Sequence, residues 1–430
     1  MPKKNTIYLP KYIRFMIQYI FSSLFFFFLV LFAYIKIRYP FWNNQPVFHS
    51  YDYWRFFYSI PYVVYKYRPV KTKYCDFHQI ETVPYSECSQ LVKENIVNLL
   101  QCYYIPSEKI LHTITEKELD SILTGTNEPC YVSTFNEKII QNNGEQAASI
   151  LVNPESIGCI TSRPYKMFYR PTLSEQVYTS DLLYFIDYLC VKRERDVKKI
   201  NRALLQTHEY NQRIKNPNVL ITLIKKEIDL FQGIIPVVKY NTATYYIPIL
   251  HHVSLPKDCE LIKIEHANIH ILTDYLYNMT HNNYDNTENM FDMCIMQDTS
   301  YYLSQIKAGI IHIFCLRQKE HVYGLYFFKN TYTEYEDIEG NVLMFSTSIK
   351  NTNDDNVYYS GFINSMYKIL KQKQNKYKML MIENIGHNNN IIPLWETYNR
   401  PIFDNKTAYY LYNFIYPCSP LTPEKTLIIT

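Results

Sequence analysis

Residues 185–224 constrain the fold more than any other part of this chain. Phe185-Ile-Asp-Tyr-Leu-Cys-Val191 reads as a buried strand, and the charged run Lys192-Arg-Glu-Arg-Asp196 ends it. From Val197 to about Tyr210, apolar or small residues recur at Ile200, Ala203, Leu204 and Thr207, the spacing of one helix face. Asp196 is placed to cap that helix. Lys215-Asn-Pro-Asn218 then breaks it, and Val219-Leu-Ile-Thr-Leu-Ile224 reads as a second buried strand. Strand, basic turn, helix and strand make an α/β unit whose helix N-terminus offers unpaired amides to an anion such as pyrophosphate. Lys198 and Lys199 would assist, with Arg202 one turn further in. The charges from Lys192 to Lys199 serve equally well as a solvated turn, so this unit alone sets a fold element and no activity.

Composition removes several function classes. With 430 residues and 47% hydrophobic content the chain can bury one large core or two domain-sized ones. A net charge of +4, with both signs interspersed, gives no footprint for nucleic acid. Nine glycines leave little room for phosphate loops, and neither GxGxxG nor GxxxxGK[ST] occurs. Ten cysteines lie far apart without a CxxC, which points to reduced core thiols rather than a disulfide frame or zinc site. Cys190, inside an apolar run, reads as an inert thiol rather than a nucleophile. His266 and His270 have helical zinc spacing but lack a third ligand, so no metal is expected.

Phe15 to Ile35 is apolar over about the 20 residues needed to cross a bilayer. No small-residue cleavage site follows, so a single-pass N-terminal anchor through residues 15–35 is expected rather than a removed signal. Basic residues flank both sides, and the positive-inside rule leaves orientation open.

Two further segments carry a resemblance. One is Arg38-Tyr-Pro-Phe-Trp-Asn-Asn-Gln-Pro-Val47, aromatic and held extended by its prolines. The other is the tail, Ala408-Tyr-Tyr-Leu-Tyr-Asn-Phe414 followed by Leu421-Thr-Pro-Glu-Lys-Thr-Leu-Ile-Ile-Thr430, which stays apolar to its last residues although chain ends usually fray. With the 185–224 unit, these segments resemble those of N-myristoyltransferases over most of Arg38–Thr430. The resemblance implies an α+β, duplicated GNAT-type acyltransferase fold, with two pseudo-twofold-related halves around a twisted mixed sheet after the membrane helix. It implies that Tyr39, Phe41, Trp42 and Asn43 lie along the acyl-CoA, and that Val191, Lys198, Lys199, Ile200, Asn201 and Arg202 meet its CoA part. It further implies that the Tyr188 and Leu189 amides hold the thioester oxygen and that the Thr430 carboxylate takes the amine proton. No permanently bound cofactor is expected. Myristoyl-CoA would be a co-substrate, and the partners would be proteins or peptides with an N-terminal glycine. Acyl-CoA is cytosolic, which puts the catalytic body in the cytosol.

The phosphate turn departs from the family pattern at Asp196, Val197, Asn201 and Arg202. The acidic loop expected near Tyr103–Lys109 keeps only Glu108. A binding-only relative, or a GNAT enzyme acting on other amines, therefore stays open. The expected organisation is an anchor at 1–36, an acyl-CoA-binding half at 37–250 and a peptide-binding half at 251–430. Smaller elements include helices at Ser86–Leu100, Thr115–Leu123, Ile271–Met279 and Gly361–Gln374. Strands are expected at Cys130–Thr134, Ser156–Thr161, Tyr165–Tyr169, Ile310–Leu316, Val322–Phe328, Val342–Ser348 and Lys378–Glu383. Asn142-Asn-Gly144 would turn the chain between the first two strands.

Overall fold

One five-part order occurs twice in this chain. In the first copy, strands Glu155–Tyr169 and Thr179–Val191 precede helix Val197–Lys215, and strands Ile221–Glu227 and Val238–Tyr246 follow. In the second, strands His321–Tyr335 and Ile338–Lys350 precede helix Asp355–Gln372, and strands Tyr377–Glu383 and Phe403–Tyr412 follow. Within each copy the first two strands are antiparallel, and the two flanking the helix are parallel. The final strands are exchanged: Val238–Tyr246 pairs with Tyr377–Glu383, and Phe403–Tyr412 pairs with Ile221–Glu227. They also pair with each other, Tyr240 opposite Thr407. The halves thereby share one 15-stranded mixed sheet. The computed structural model describes residues 11–430 except 53, 55, 56, 58, 59, 106, 108, 138, 139, 142–149, 152–154, 176, 282–290 and 373–375. Glu108 and the expected turn at 142–144 lie outside the described residues.

Several expected boundaries move for identifiable reasons. The helix expected to end near Tyr210 runs to Lys215, because its last turns bury Gln212 and Arg213 and nothing stops it before Asn216-Pro217. The helix expected from Ser86 begins at Gln90 behind the Ser89 cap, whose Oγ accepts the Val92 N–H. Thr115 and Glu118 form the expected capping box. The expected strands at 156–161 and 165–169 are one 15-residue strand that passes through Pro164. On its outer edge Tyr131–Glu137 pairs as far as Ser162, and Met293–Met296 begins at Lys166. Pro164 falls in the gap between these partners, where its missing N–H costs no ladder bond there.

Helix Val197–Lys215 buries Ile200, Leu204 and Leu205 among Ile160, Ile186, Val191 and Ile224 on one face of the sheet. Each such side chain contributes about 1.5–3 kcal/mol of transfer free energy. The opposite face carries Tyr165, Phe185, Leu223, Tyr240 and Tyr409, covered by Leu421 and Ile428 of the tail. That tail does not fray. Thr426–Ile428 pairs in parallel with Met293–Met296, and the Ile429 N–H donates to the Ile295 carbonyl at 2.9 Å.

Lys11–Arg38 forms a 28-residue helix. It contains the one helix among the described residues that is long and apolar enough to cross a membrane, Phe15–Arg38, and its large apolar side chains point outward. It continues directly into the 38–47 segment, with the Tyr39 N–H donating to the Ile35 carbonyl.

Gly361, on helix Asp355–Gln372, tests how tightly the second half is packed. A methyl group there would overlap the Tyr326 hydroxyl, which donates to the Tyr358 carbonyl at 2.7 Å. Gly361→Ala should cost about 1–3 kcal/mol by overpacking, seen as a lower thermal midpoint of the detergent-solubilised protein.

Candidate active site

The parallel strands Thr179–Val191 and Ile221–Glu227 pair only from Leu183–Ile221 to Ile186–Ile224, and then part. The cause lies on the neighbouring strand. Cys159 faces Cys190 and Thr161 faces Asp187, so Ile160 alone stands opposite both Tyr188 and Leu189. That is a β-bulge, which bends its strand and takes residues out of the ladder. Tyr188 adopts φ 49°, a left-handed conformation that costs about 1–3 kcal/mol for a residue with a side chain. The second half has the same parting beyond Phe345–Ile382, but residues 386–390 fill it. There the buried Asn388 accepts from Ser348 Oγ at 2.6 Å and donates to the Glu383 carbonyl at 2.7 Å. Among the described residues no such segment enters the first wedge.

Charged side chains gather beside that wedge, on the sheet face covered by the tail. Arg163, 1% exposed, donates to Asp187 at 2.7 Å and to the Tyr301 hydroxyl at 2.5 Å. Lys225 lies 2.7 Å from both Glu227 and Glu383, and the Tyr240 hydroxyl donates to Glu383 at 2.9 Å. Water reaches part of these groups, since the Asp187 and Lys225 side chains stay 15% and 18% exposed. Burial pushes the Asp187 carboxyl up, but Arg163, Lys329 and the Tyr188 amide override it and hold it below its ordinary value. Burial likewise opposes the Lys225 charge, yet Glu227 and Glu383 raise its pKa well above the usual lysine range. Lys329 faces the same cluster.

The expected site residues fall into three groups. In the first, Phe41 is buried among Val191, Ile200 and Leu204, with the Arg202 guanidinium 5.9 Å above its ring. Trp42 packs on Phe41 and Phe231, Tyr39 stacks on Tyr51 at 5.7 Å, and Asn43 accepts from the Tyr51 hydroxyl. Gln45 anchors this segment by accepting from the Tyr412 hydroxyl at 2.6 Å. Lys198 and Lys199 are exposed at the helix N-terminus, where Asp196 Oδ1 accepts the Lys199 N–H at 3.1 Å. Asn201 Oδ1 is buried with no hydrogen-bond partner. The second group is the bulge. Tyr188 N–H donates to Asp187 Oδ1 at 3.0 Å, and the Tyr188 ring packs 5.3 Å from Tyr104. The third is the chain end. Thr430 is 6% exposed, and its side chain is a hydrogen-bond partner of Tyr409. The bulge and the chain end border the charged face, whereas the 38–47 segment and the helix N-terminus lie on the opposite face of the sheet.

Sequence reasoning did not single out Arg163, Asp187, Lys225, Lys329, Glu383 or Tyr409 as site residues. The available signal was an ionisable residue inside an apolar strand, as in Phe185-Ile-Asp187 and Phe327-Phe-Lys329, because an isolated buried charge is costly. Cys190 Sγ lies 3.4 Å from Cys159 Sγ, both buried. His266 and His270 are exposed, and no metal-binding cluster occurs among the described residues.

A duplicated strand–helix–strand sheet with a bulged, parting strand pair defines a duplicated GNAT-type acyltransferase fold. The structure is similar to crystal structures of Saccharomyces cerevisiae N-myristoyltransferase with bound myristoyl-CoA. For one, the TM-score is 0.63 at 11% identity, covering 90% of each chain. For another, in a complex with myristoyl-CoA and inhibitors, it is 0.62 at 12% identity, covering 91% of this chain and 93% of that one. The chain thus has the N-myristoyltransferase fold. No family model and no curated protein matches the sequence.

Asp187→Asn would leave Arg163 buried without a carboxylate and should destabilise the protein by about 3–5 kcal/mol at neutral pH. Because folding lowers the Asp187 pKa from its ordinary 3.8, its contribution is present above that value and lost as pH falls through the lower folded one. Denaturant midpoints measured across pH should show the gap between wild type and variant closing in acid.

Proposed function

We propose that this protein transfers a myristoyl or similar fatty acyl group from acyl-CoA to the N-terminal glycine amine of acceptor proteins. The observation that carries this reading is the buried chain end beside the open wedge: Thr430 lies inside the fold, against Tyr409. The myristoyl-CoA held by the yeast enzyme of the same fold supports the choice of donor. In this reading Tyr39, Phe41, Trp42 and Asn43 lie along the donor. The N-terminal turn of helix Val197–Lys215, with Lys198, Lys199, Ile200, Asn201 and Arg202, meets its CoA part. The thioester then reaches through the wedge from one face of the sheet to the other.

The amides of Tyr188 and Leu189 stabilise the carbonyl oxygen as it gains negative charge. For this the Tyr188 N–H turns from Asp187 to the substrate. The amine nitrogen attacks the carbonyl carbon, the new C–N bond forms and the C–S bond breaks, and CoA leaves as the thiolate. The Thr430 carboxylate accepts the proton that the amine loses. Holding donor and acceptor in line supplies much of the remaining rate. No enzyme nucleophile is needed, so Cys190 has no role in the step. Residues 37–250 would bind the donor, and 251–430 the acceptor while supplying the base. The helix at 15–35 would anchor the protein in a membrane with this body on the cytosolic side.

A binding-only protein is the second reading. It is favoured by the carboxylates of Asp196 and Asp187, which occupy the Lys199 and Tyr188 N–H groups that phosphate and thioester oxygen would use. Appending Gly-Ser after Thr430 separates the two. Transfer to glycine-starting peptides should fall by about 100-fold or more, while acyl-CoA affinity, measured by calorimetry, stays unchanged. Unmodified protein that binds acyl-CoA and turns over no peptide would establish the binding-only reading instead.

A further inference from the structure

Among the described residues Lys329 makes no ion pair, in a cluster where Arg163 and Lys225 each make one. It lies on strand His321–Tyr335 opposite Ile311 and Met344, half-buried, and its ammonium faces Arg163, Asp187, Lys225 and Glu383. Arg163 is engaged by Asp187, and Lys225 by Glu227 and Glu383, each at 2.7 Å. Glu383 also accepts the Tyr240 O–H. Among the described residues no hydrogen bond or ion pair reaches the Lys329 ammonium, while its backbone pairs in the sheet. Burial, and then repulsion from Arg163 and Lys225, pulls its pKa down to about 8 against the attraction of Asp187 and Glu383. It is therefore still mostly protonated at neutral pH, although its surroundings disfavour the charge.

A half-buried ammonium with no direct ion pair, beside two committed cations, can take an anion from outside as its partner. Its cluster also leads to the chain end, because Glu383 holds Tyr240, Tyr240 stacks on Tyr409 at 6.0 Å, and Tyr409 contacts Thr430. We infer that Lys329 receives an acidic side chain of the acceptor polypeptide close to its N-terminal glycine, so that this cleft selects acceptors carrying a carboxylate. The inference rests on the acyl-transfer reading for what occupies the cleft.

The test uses the full-length protein in detergent with a non-hydrolysable myristoyl-CoA analogue. Fluorescent glycine-starting peptides carry Asp, or its neutral isostere Asn, at successive positions after the glycine. Binding is read by anisotropy, and KM and kcat are read separately with myristoyl-CoA. At the favoured position the Asp peptide should bind about tenfold tighter than the Asn peptide, and the difference should appear in KM rather than kcat. Lys329→Met should abolish the preference, Lys329→Arg should retain it, and Lys329→Glu should turn it toward a Lys-bearing peptide. Retained affinity for the acyl-CoA analogue identifies the variants that are folded. An Asp preference that survives in Lys329→Met overturns the inference, as does its absence from the wild-type protein or a failure to bind any of the peptides. Failure of the acyl-transfer reading is seen separately, as no product from any peptide while the Asp-to-Asn binding ratio is still readable.

Discussion

The candidate site depends on the parting of two parallel strands at Asp187. Parallel neighbours normally stay paired along their shared length, because each backbone amide left unpaired in the interior is costly. Here the bulge at Tyr188 and Leu189 bends one strand away from Ile221–Glu227. The left-handed backbone at Tyr188 is sustained by the hydrogen bond its N–H donates to Asp187 Oδ1, and that carboxylate is itself held by Arg163. A side-chain ion pair and a strained main-chain turn thus support one another. In the second half, where the strands part in the same way, residues 386–390 enter the gap and Asn388 satisfies its polar groups.

The exchange of final strands explains why the halves act as one body. Val238–Tyr246 and Phe403–Tyr412 each pair with the other half and with one another, so neither half keeps a complete sheet without its partner. This arrangement also puts Tyr240, Tyr409 and Glu383, which come from distant parts of the chain, around Lys225. The two sheet faces are covered by different parts of the chain. One is closed by helix Val197–Lys215 and the 38–47 segment, the other by the tail, and the wedge is the opening that the proposed chemistry uses to connect them.

The elements that carry local signals were legible. Helix Val197–Lys215 showed its periodicity and its Asp196 cap, Thr115 and Glu118 formed the capping box, and the apolar run at 15–35 became a helix. What misled was punctuation. Pro164 reads as a strand break, yet it falls between two partner strands, a circumstance invisible from one strand alone. Helix Thr299–Ala308 went unread because its buried Tyr301, Tyr302 and Gln305 do not make a simple apolar stripe.

By itself the sequence determined the local order of elements, the membrane-length helix and, through resemblance, the fold and the residues proposed to carry acyl transfer. Those follow from propensity, capping and apolar spacing, which act over a few residues. Tertiary structure alone decided the exchange of final strands, the plugging of the second wedge and the meeting of Arg163, Asp187, Lys225, Lys329 and Glu383. Electrostatic coupling depends on distance in space, and residues separated by up to 220 positions become neighbours only when the sheet is assembled.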